Sequence, residues 1–258
     1  MIDALIAFVL GVAIGVFSGL FGVGGSSIST PLLRIALGTS PFIALASPLP
    51  VTLPTALSGS IVYRREGLIN GRAVMWTIAG GLPTVVAGSL MTTRVSAHWL
   101  MFLVAASVVF VGIQLYRSHS PAEVDGQVPT DPRWEHPSAP LLVAVAAVIG
   151  FLSGLLANGG GFLLVPVFVL LFGARLREAA ATSLPCVAAM AVPGTITHAY
   201  LGHIDWVLAL ELSVGVVPAT YLGAQISIWL RKVRLRKPFG VFMVVFGVYF
   251  FFRELLSA

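Results

Sequence analysis

Apolar positions run through this chain in long blocks, and polar positions only punctuate them. The apolar runs occupy roughly 3–22, 27–38, 41–63, 73–93, 98–117, 140–157, 161–173, 178–201, 206–230 and 238–257. Eight are long enough to cross a hydrocarbon core of about 30 Å at about 1.5 Å per helical residue. Two are too short, 27–38 and 161–173, and each directly follows a glycine cluster, Gly22-Val23-Gly24-Gly25 or Gly159-Gly160-Gly161. The pattern predicts an all-α membrane protein in which each short run is the second arm of a helix broken at glycine. The long polar stretch, 118–139, is rich in Pro, Ser and acidic residues and reads as a surface linker.

The two broken helices belong to a duplication. Gly15, Ser18, Gly19, Leu20, Gly24 and Gly25 recur 135 residues later as Gly150, Ser153, Gly154, Leu155, Gly159 and Gly160. The same offset continues through Pro31 and Pro166, Pro50 and Pro185, Gly80 and Gly215, Gly88 and Gly223, and Gly112 and Gly247. A fixed offset over most of the chain divides it into a first transmembrane repeat, 1–117, the linker, 118–139, and a second repeat, 140–258.

Composition agrees with a membrane class: 57% of residues are hydrophobic and 10% charged, against roughly 25% charged in soluble domains. The net charge of +5 does not point to nucleic acid, because the basic residues sit in short loops between apolar runs. The chain opens Met1-Ile2-Asp3, so no cleavable signal peptide is predicted. Cys186 stands alone and predicts no internal disulfide.

Charge placement chooses a topology. If each long-plus-short pair crosses once, the 15 Lys and Arg divide nine to six between the two faces. If each pair returns as a hairpin, one face collects twelve and the other only Arg34, Arg94 and Arg253. The second division obeys the positive-inside rule. It predicts two homologous inverted repeats, each with three or more spanning helices plus a Gly-broken helix hairpin. Both termini then lie outside the cytoplasm and the linker inside. Whether the first long helix of each repeat crosses fully or re-enters is left open, since charge parity is the same either way.

Paired, glycine-interrupted short segments in corresponding positions point to a transport site. A helix that begins inside the membrane aims free N–H groups and a positive dipole end at its surroundings, which suits an anion. The expected substrate-binding residues are Gly24, Gly25, Ser26 and Ser27 at the first break and Asn158, Gly159, Gly160 and Gly161 at the second. Gly11, Gly15 and Gly19 read instead as close-packing positions. Ser47, Thr182 and Ser183, on proline-rich helices, have two readings: they face the breaks and coordinate substrate, or they satisfy carbonyls freed by proline. Glu211 and His198 are ionisable residues within spans and are the proton-coupling candidates. Arg34 reads as snorkelling to the interface. The chain shows no Walker loop, no HExxH and no Cys/His metal spacing. No cofactor, metal or catalytic residue is expected; intramembrane serine hydrolysis is the remote alternative, and an anion channel the nearer one.

The motif G-x-x-S-G-x-x-G-x-G-G, its second copy, and Ala181-Thr182-Ser183-Leu184-Pro185 resemble the TauE/SafE sulfite-exporter family over essentially the whole chain. The first repeat departs from this pattern, with Ala46-Ser47-Pro48-Leu49-Pro50 at the corresponding place. The resemblance implies a multi-pass protein of the bacterial inner membrane that exports sulfite, sulfoacetate or a related organosulfonate. Its partners are then a small anion and membrane lipid, not nucleic acid. Oligomeric state is left open, a homodimer being one arrangement.

Overall fold

The computed structural model describes residues 2–22, 26–117, 132–229 and 236–256. They form twelve α-helices: α1 (Ile2–Phe21), α2 (Ser26–Ala36), α3 (Pro41–Ala46), α4 (Pro48–Arg65), α5 (Gly71–Met91), α6 (Ala97–Arg117), α7 (Pro132–Glu135), α8 (Ala139–Leu155), α9 (Gly161–Phe172), α10 (Leu176–Tyr200), α11 (Trp206–Trp229) and α12 (Arg236–Leu256). No strand occurs among the described residues.

Five stretches are long and apolar enough to cross a membrane: Pro41–Arg65, Gly71–Arg94, Ala97–Gln114, Leu176–Tyr200 and Trp206–Trp229. Eight were expected. The first and sixth apolar runs end at their glycine breaks as α1, 20 residues long, and α8, 17 residues long; α1 and the 21-residue α12 also have the length of a span. The outward faces are apolar, as with Leu210 and Val214 on α11 and Val245 and Phe252 on α12. Exposed aromatics mark both ends of the helices: Trp99, Tyr200 and Trp206 at one level, Tyr116 and Trp229 at the other. By helical rise Trp99 and Tyr116 are about 26 Å apart and Trp206 and Trp229 about 35 Å. Those spans bracket a hydrocarbon core, and amphipathic rings favour its two interfaces.

Helices of one half pack on helices of the other. Gly11, Gly15 and Gly19 of α1 lie against the α11 backbone at Leu212, Val216 and Thr220 in turn, so the two helices run parallel. The corresponding pair, α5 and α8, repeats this, with Gly80 on Val143, Gly150 on Gly81 and Gly154 on Val85. Dispersion from close backbone contact is what associates helices where hydrocarbon surrounds them. The packing role expected of the α1 glycines is thus their observed geometry. By contrast α6 and α12 run antiparallel, Gly112 meeting Gly240 and Val244 while Gly247 meets Val108 and Val109. So do α4 and α10, Gly59 meeting Leu184 and Gly194 meeting Leu49.

One departure from the duplication has a local cause. Residues 41–65 form one kinked element, α3 and α4 meeting at Ser47, whereas α10 continues unbroken. Pro48 stands in the first half where Ser183 stands in the second. A proline there removes an N–H and presses on the preceding turn. Ser183 keeps its N–H, and its hydroxyl donates to the carbonyls of Ala180 and Gly22.

Candidate functional site

The second break is built by three left-handed residues in four. Ala157 has φ +47, Gly159 φ +67 and Gly160 φ +76. The Asn158 N–H reaches back to the Ser153 carbonyl at 3.1 Å, closing α8 in a Schellman-type turn with Ala157 at the left-handed position. In the first half that position is Gly22, φ +67. An alanine there carries strain of about 1–2 kcal/mol that glycine escapes. Ala157→Gly is therefore expected to stabilise the protein by about 1 kcal/mol, read as a higher midpoint of thermal unfolding in detergent; an unchanged or lower midpoint would show that the turn is not under strain.

The turn lies against the crossing of α4 and α10. A Cβ at Gly159 would stand 3.0 Å from Val187 and 3.2 Å from the Thr52 methyl; one at Gly160 would stand 3.2 Å from Ser153. Asn158 is buried beside them, 1% exposed. The Gly160 carbonyl accepts from Leu163 and Leu164, opening α9. Among the described residues no backbone carbonyl accepts from the N–H groups of Gly159, Gly160, Gly161 and Phe162. Those four donors lie at the positive end of α9, and Gly159, Gly160 and Gly161 among them are residues the sequence marked for an anion.

The first break is described only at its edges. Gly24 and Gly25 lie outside the described residues, and Ser26 and Ser27 open the α2 backbone. Gly22 rests on Ala180 of α10, and its carbonyl accepts from Ser183 at 2.8 Å. Ala180, Ser183 and Val187 share one face of α10, so Gly22, at the edge of the first break, and Gly159, in the second, contact the same face of that helix.

Ser47 and Thr182 hold backbone N–H groups of the other half rather than carbonyls freed by proline. The Ser47 hydroxyl accepts from the Asp205 N–H at 2.9 Å, and the Thr182 hydroxyl accepts from the Asn70 N–H at 3.0 Å. These bonds are equivalent under the duplication, and each fixes the residue that caps the next helix. Asn70 caps α5 through Ala73, and Asp205 caps α11 through Val207 and Leu208. Thr52, Thr55 and Thr197 back-bond to Pro48, Val51 and Pro193, not to the carbonyls four residues before a proline.

The ends of the broken helices are also capped alike. Tyr63 donates its hydroxyl to the Gly19 carbonyl at 2.8 Å; in the second half His198 Nε2 lies 3.2 Å from the Gly154 carbonyl. His198 is fully buried, and its Nδ1 is 3.1 Å from Nδ1 of His203. Glu211 is half-buried on α11, about 8 Å along the helix from Trp206, without a hydrogen-bond or ion-pair partner among the described residues.

Sequence reasoning missed two anchors of the short helices. Arg34 at the end of α2 does not snorkel: Nε and Nη2 bind the Glu254 carboxylate at 2.9 and 2.8 Å, and Nη1 donates to the Thr39 carbonyl. On the other side Phe168 of α9 packs against buried Trp134 of α7, whose carbonyl accepts from the Asn70 amide. An Arg on a short apolar helix and a Trp in a polar linker were the available signals. No group of three or more His, Cys, Asp or Glu that would hold a metal occurs among the described residues.

Comparison with known proteins agrees with this architecture. The chain is 29% identical over 255 residues to a probable membrane transporter protein of Xylella fastidiosa, covering 95% of this chain and 93% of that one. It is 25% identical over 249 residues to probable membrane transporter protein YunE of Bacillus subtilis, covering 90% of each. A relative in Methanocaldococcus jannaschii, also a probable membrane transporter protein, is 22% identical over 269 residues, covering 93% of this chain and 92% of that one. The sequence model of the sulfite exporter TauE/SafE family matches residues 7–250. With its glycine-broken helices, its apolar outer face and transporters rather than enzymes for relatives, the chain belongs to the TauE/SafE sulfite exporter family.

Proposed function

We propose that this protein is a secondary transporter that exports a small sulfur-containing oxyanion, sulfite, sulfoacetate or a related organosulfonate, across the bacterial inner membrane. The observation that carries the reading is the second break: four backbone N–H groups at the start of α9, beside buried Asn158, where α4 and α10 cross. Such a site holds an anion through helix-end partial charge of roughly half a unit and releases it more readily than a buried arginine would. Gly24, Gly25, Ser26 and Ser27 are proposed to form the matching half. Ser47, Thr182 and Ser183 position the breaks by fixing neighbouring backbone. Glu211 and His198 are the groups proposed to carry a coupled proton.

Repeats 1–117 and 140–258 are proposed to be inverted about the linker, 118–139. The antiparallel pairs α6–α12 and α4–α10 support this. Each joins corresponding helices, and a two-fold axis that relates antiparallel helices is perpendicular to them, hence in the membrane plane. The twelve-to-three charge division puts the linker in the cytoplasm. An inside-negative potential then drives anion exit by about 2.3 kcal/mol per charge per 100 mV.

Counterflow of labelled sulfoacetate and sulfite into preloaded proteoliposomes tests the function. A carrier shows trans-stimulation; a channel shows none. Asn158→Ala should weaken substrate-dependent thermal stabilisation by about tenfold or more in apparent affinity, since a hydrogen bond to a charged group is worth about 1.5–3 kcal/mol. Wild-type affinity in that variant would move the site away from the second break.

A further inference from the structure

The buried imidazole at the end of α8 has a partner that the duplication does not account for. Tyr63 and Leu68 stand in the first half where His198 and His203 stand in the second. Tyr63 and His198 do the same structural work, each capping the last-turn carbonyl of its broken helix. Only the second half does it with an imidazole, which can bind a proton through its second ring nitrogen.

Geometry fixes the tautomers. The Gly154 carbonyl can only accept, so His198 Nε2 carries hydrogen. Neutral His198 then has a bare Nδ1, and the 3.1 Å contact requires His203 Nδ1 to donate to it. Nε2 of His203 is therefore the basic atom of the neutral pair. His203 lies in the loop after α10, partly exposed and stacked on Phe42 at 4.7 Å.

We propose that His203 and His198 form a proton-binding pair that takes up one proton at His203 and shares it with His198 across the Nδ1–Nδ1 bridge, beside the second glycine break. The incoming proton bonds to the lone pair of His203 Nε2. The bridging proton leaves His203 Nδ1 and bonds to His198 Nδ1. In this second form His203 is neutral with hydrogen on Nε2 and His198 is the cation, still donating to Gly154; in the first the charge stays on the more exposed His203. Every hydrogen bond is kept. A second proton would set N–H against N–H across the bridge, so the pair holds one.

The surroundings leave the two rings to act on each other. α8 contributes the Gly154 carbonyl, α5 the Ser89 hydroxyl on that same carbonyl, and α3 the Phe42 ring, none of them ionisable in this range. The Asp205 carboxylate accepts from the N–H groups that open α11. Among the described residues the ionisable group that contacts His198 is His203. Burial holds His203 itself below the ordinary imidazole pKa. A positive charge on the pair adds positive potential next to the anion-facing turn. Protonation from the face that carries His203 thus strengthens the hold on an anion there. This last step rests on the transport reading; the proton pair itself does not.

The test uses purified full-length protein with nitrogen-labelled histidine, titrated from pH 8.5 to 4.5 by NMR. His198→Tyr and His203→Leu each install the first half's own residue, which favours retention of the fold. In wild type, the two rings should shift together with one midpoint and one proton taken up, and His203→Leu should remove the response of His198. Two independent midpoints, or a His198 response indifferent to His203, would overturn the pair. Counterflow of sulfoacetate, which keeps its carboxylate charge above about pH 5, supplies the second arm. Its rate should depend on pH at the His203 face in wild type and should lose that dependence in His198→Tyr and His203→Leu. Dependence that survives in both histidine variants sinks the coupling. A pair that titrates as one while no sulfur oxyanion moves removes the transport reading and leaves the proton site standing.

Discussion

Gly154→Leu is expected to yield almost no folded protein, and Gly19→Leu should do the same. Both glycines sit where two helices touch backbone to backbone. A Cβ at Gly154 would run into the Val85 carbonyl oxygen and stand 2.8 Å from the Ser89 nitrogen; one at Gly19 would meet the Thr220 carbonyl and stand 2.6 Å from the Ala224 nitrogen. Backbone cannot rotate aside as a side chain can, so α5 must leave α8, or α1 leave α11. Even alanine should cost about 1–3 kcal/mol, the usual range for overpacking, and leucine more. Separation would also break the Ser89 and Thr92 bonds to the carbonyls of Gly154 and Leu155. The measurement is monodisperse yield by size exclusion in detergent, expected to fall at least tenfold for the leucine variants. Gly71→Ala is the control. Gly71 opens α5 with nothing within 4 Å of an added Cβ, and that change should be neutral within about 0.5 kcal/mol. Wild-type yield of Gly154→Leu would mean that α5 and α8 do not pack as described.

The repeat explains why so much was legible. Each glycine of the 135-residue register that packs a helix has a counterpart doing the same at the equivalent pair, Gly15 with Gly150 and Gly19 with Gly154. Spacing alone carried that information, because close approach has a periodic signature. The breaks were legible for the same reason: short arms and glycine clusters coincide twice. What was not legible depends on pairing across the halves. Ser47 and Thr182 read as local carbonyl caps or as ligands, yet each holds a backbone N–H well over a hundred residues away in sequence. Nothing in their own helices announces Asp205 or Asn70 as partner. Likewise His198 looked like an isolated ionisable residue, because the five-residue step to His203 leaves the end of α10 and turns back on it.

The two short helices are also held differently, and that asymmetry carries the second large effect. On α9 the anchor is apolar, Phe168 against Trp134. On α2 it is the bidentate pair of Arg34 with Glu254, whose side chains are 17% and 2% exposed. Glu254→Ala leaves the guanidinium at the end of α2 with the Thr39 carbonyl but no counter-ion. Breaking a buried pair costs about 3–5 kcal/mol; partial exposure of Arg34 puts this one near the lower figure, about 3 kcal/mol. Replacing both partners with apolar residues of similar volume, Arg34→Met with Glu254→Leu, removes the stranded charge together with the bond. Such exchanges are often neutral or stabilising. The double variant should therefore unfold close to the wild-type midpoint, well above either single variant. A thermal-unfolding cycle over the four proteins measures the coupling, expected to exceed about 1.5 kcal/mol, in the range for residues in direct contact. Additive single effects would show that the ion pair does not hold α2 to α12. If the cycle couples, α2 is fixed to the last helix of the other repeat by charge, while α9 is fixed to the linker by an aromatic contact that ionic strength does not weaken. Raising salt should then narrow the gap between wild type and Glu254→Ala only slightly, because the pair is largely shielded from water.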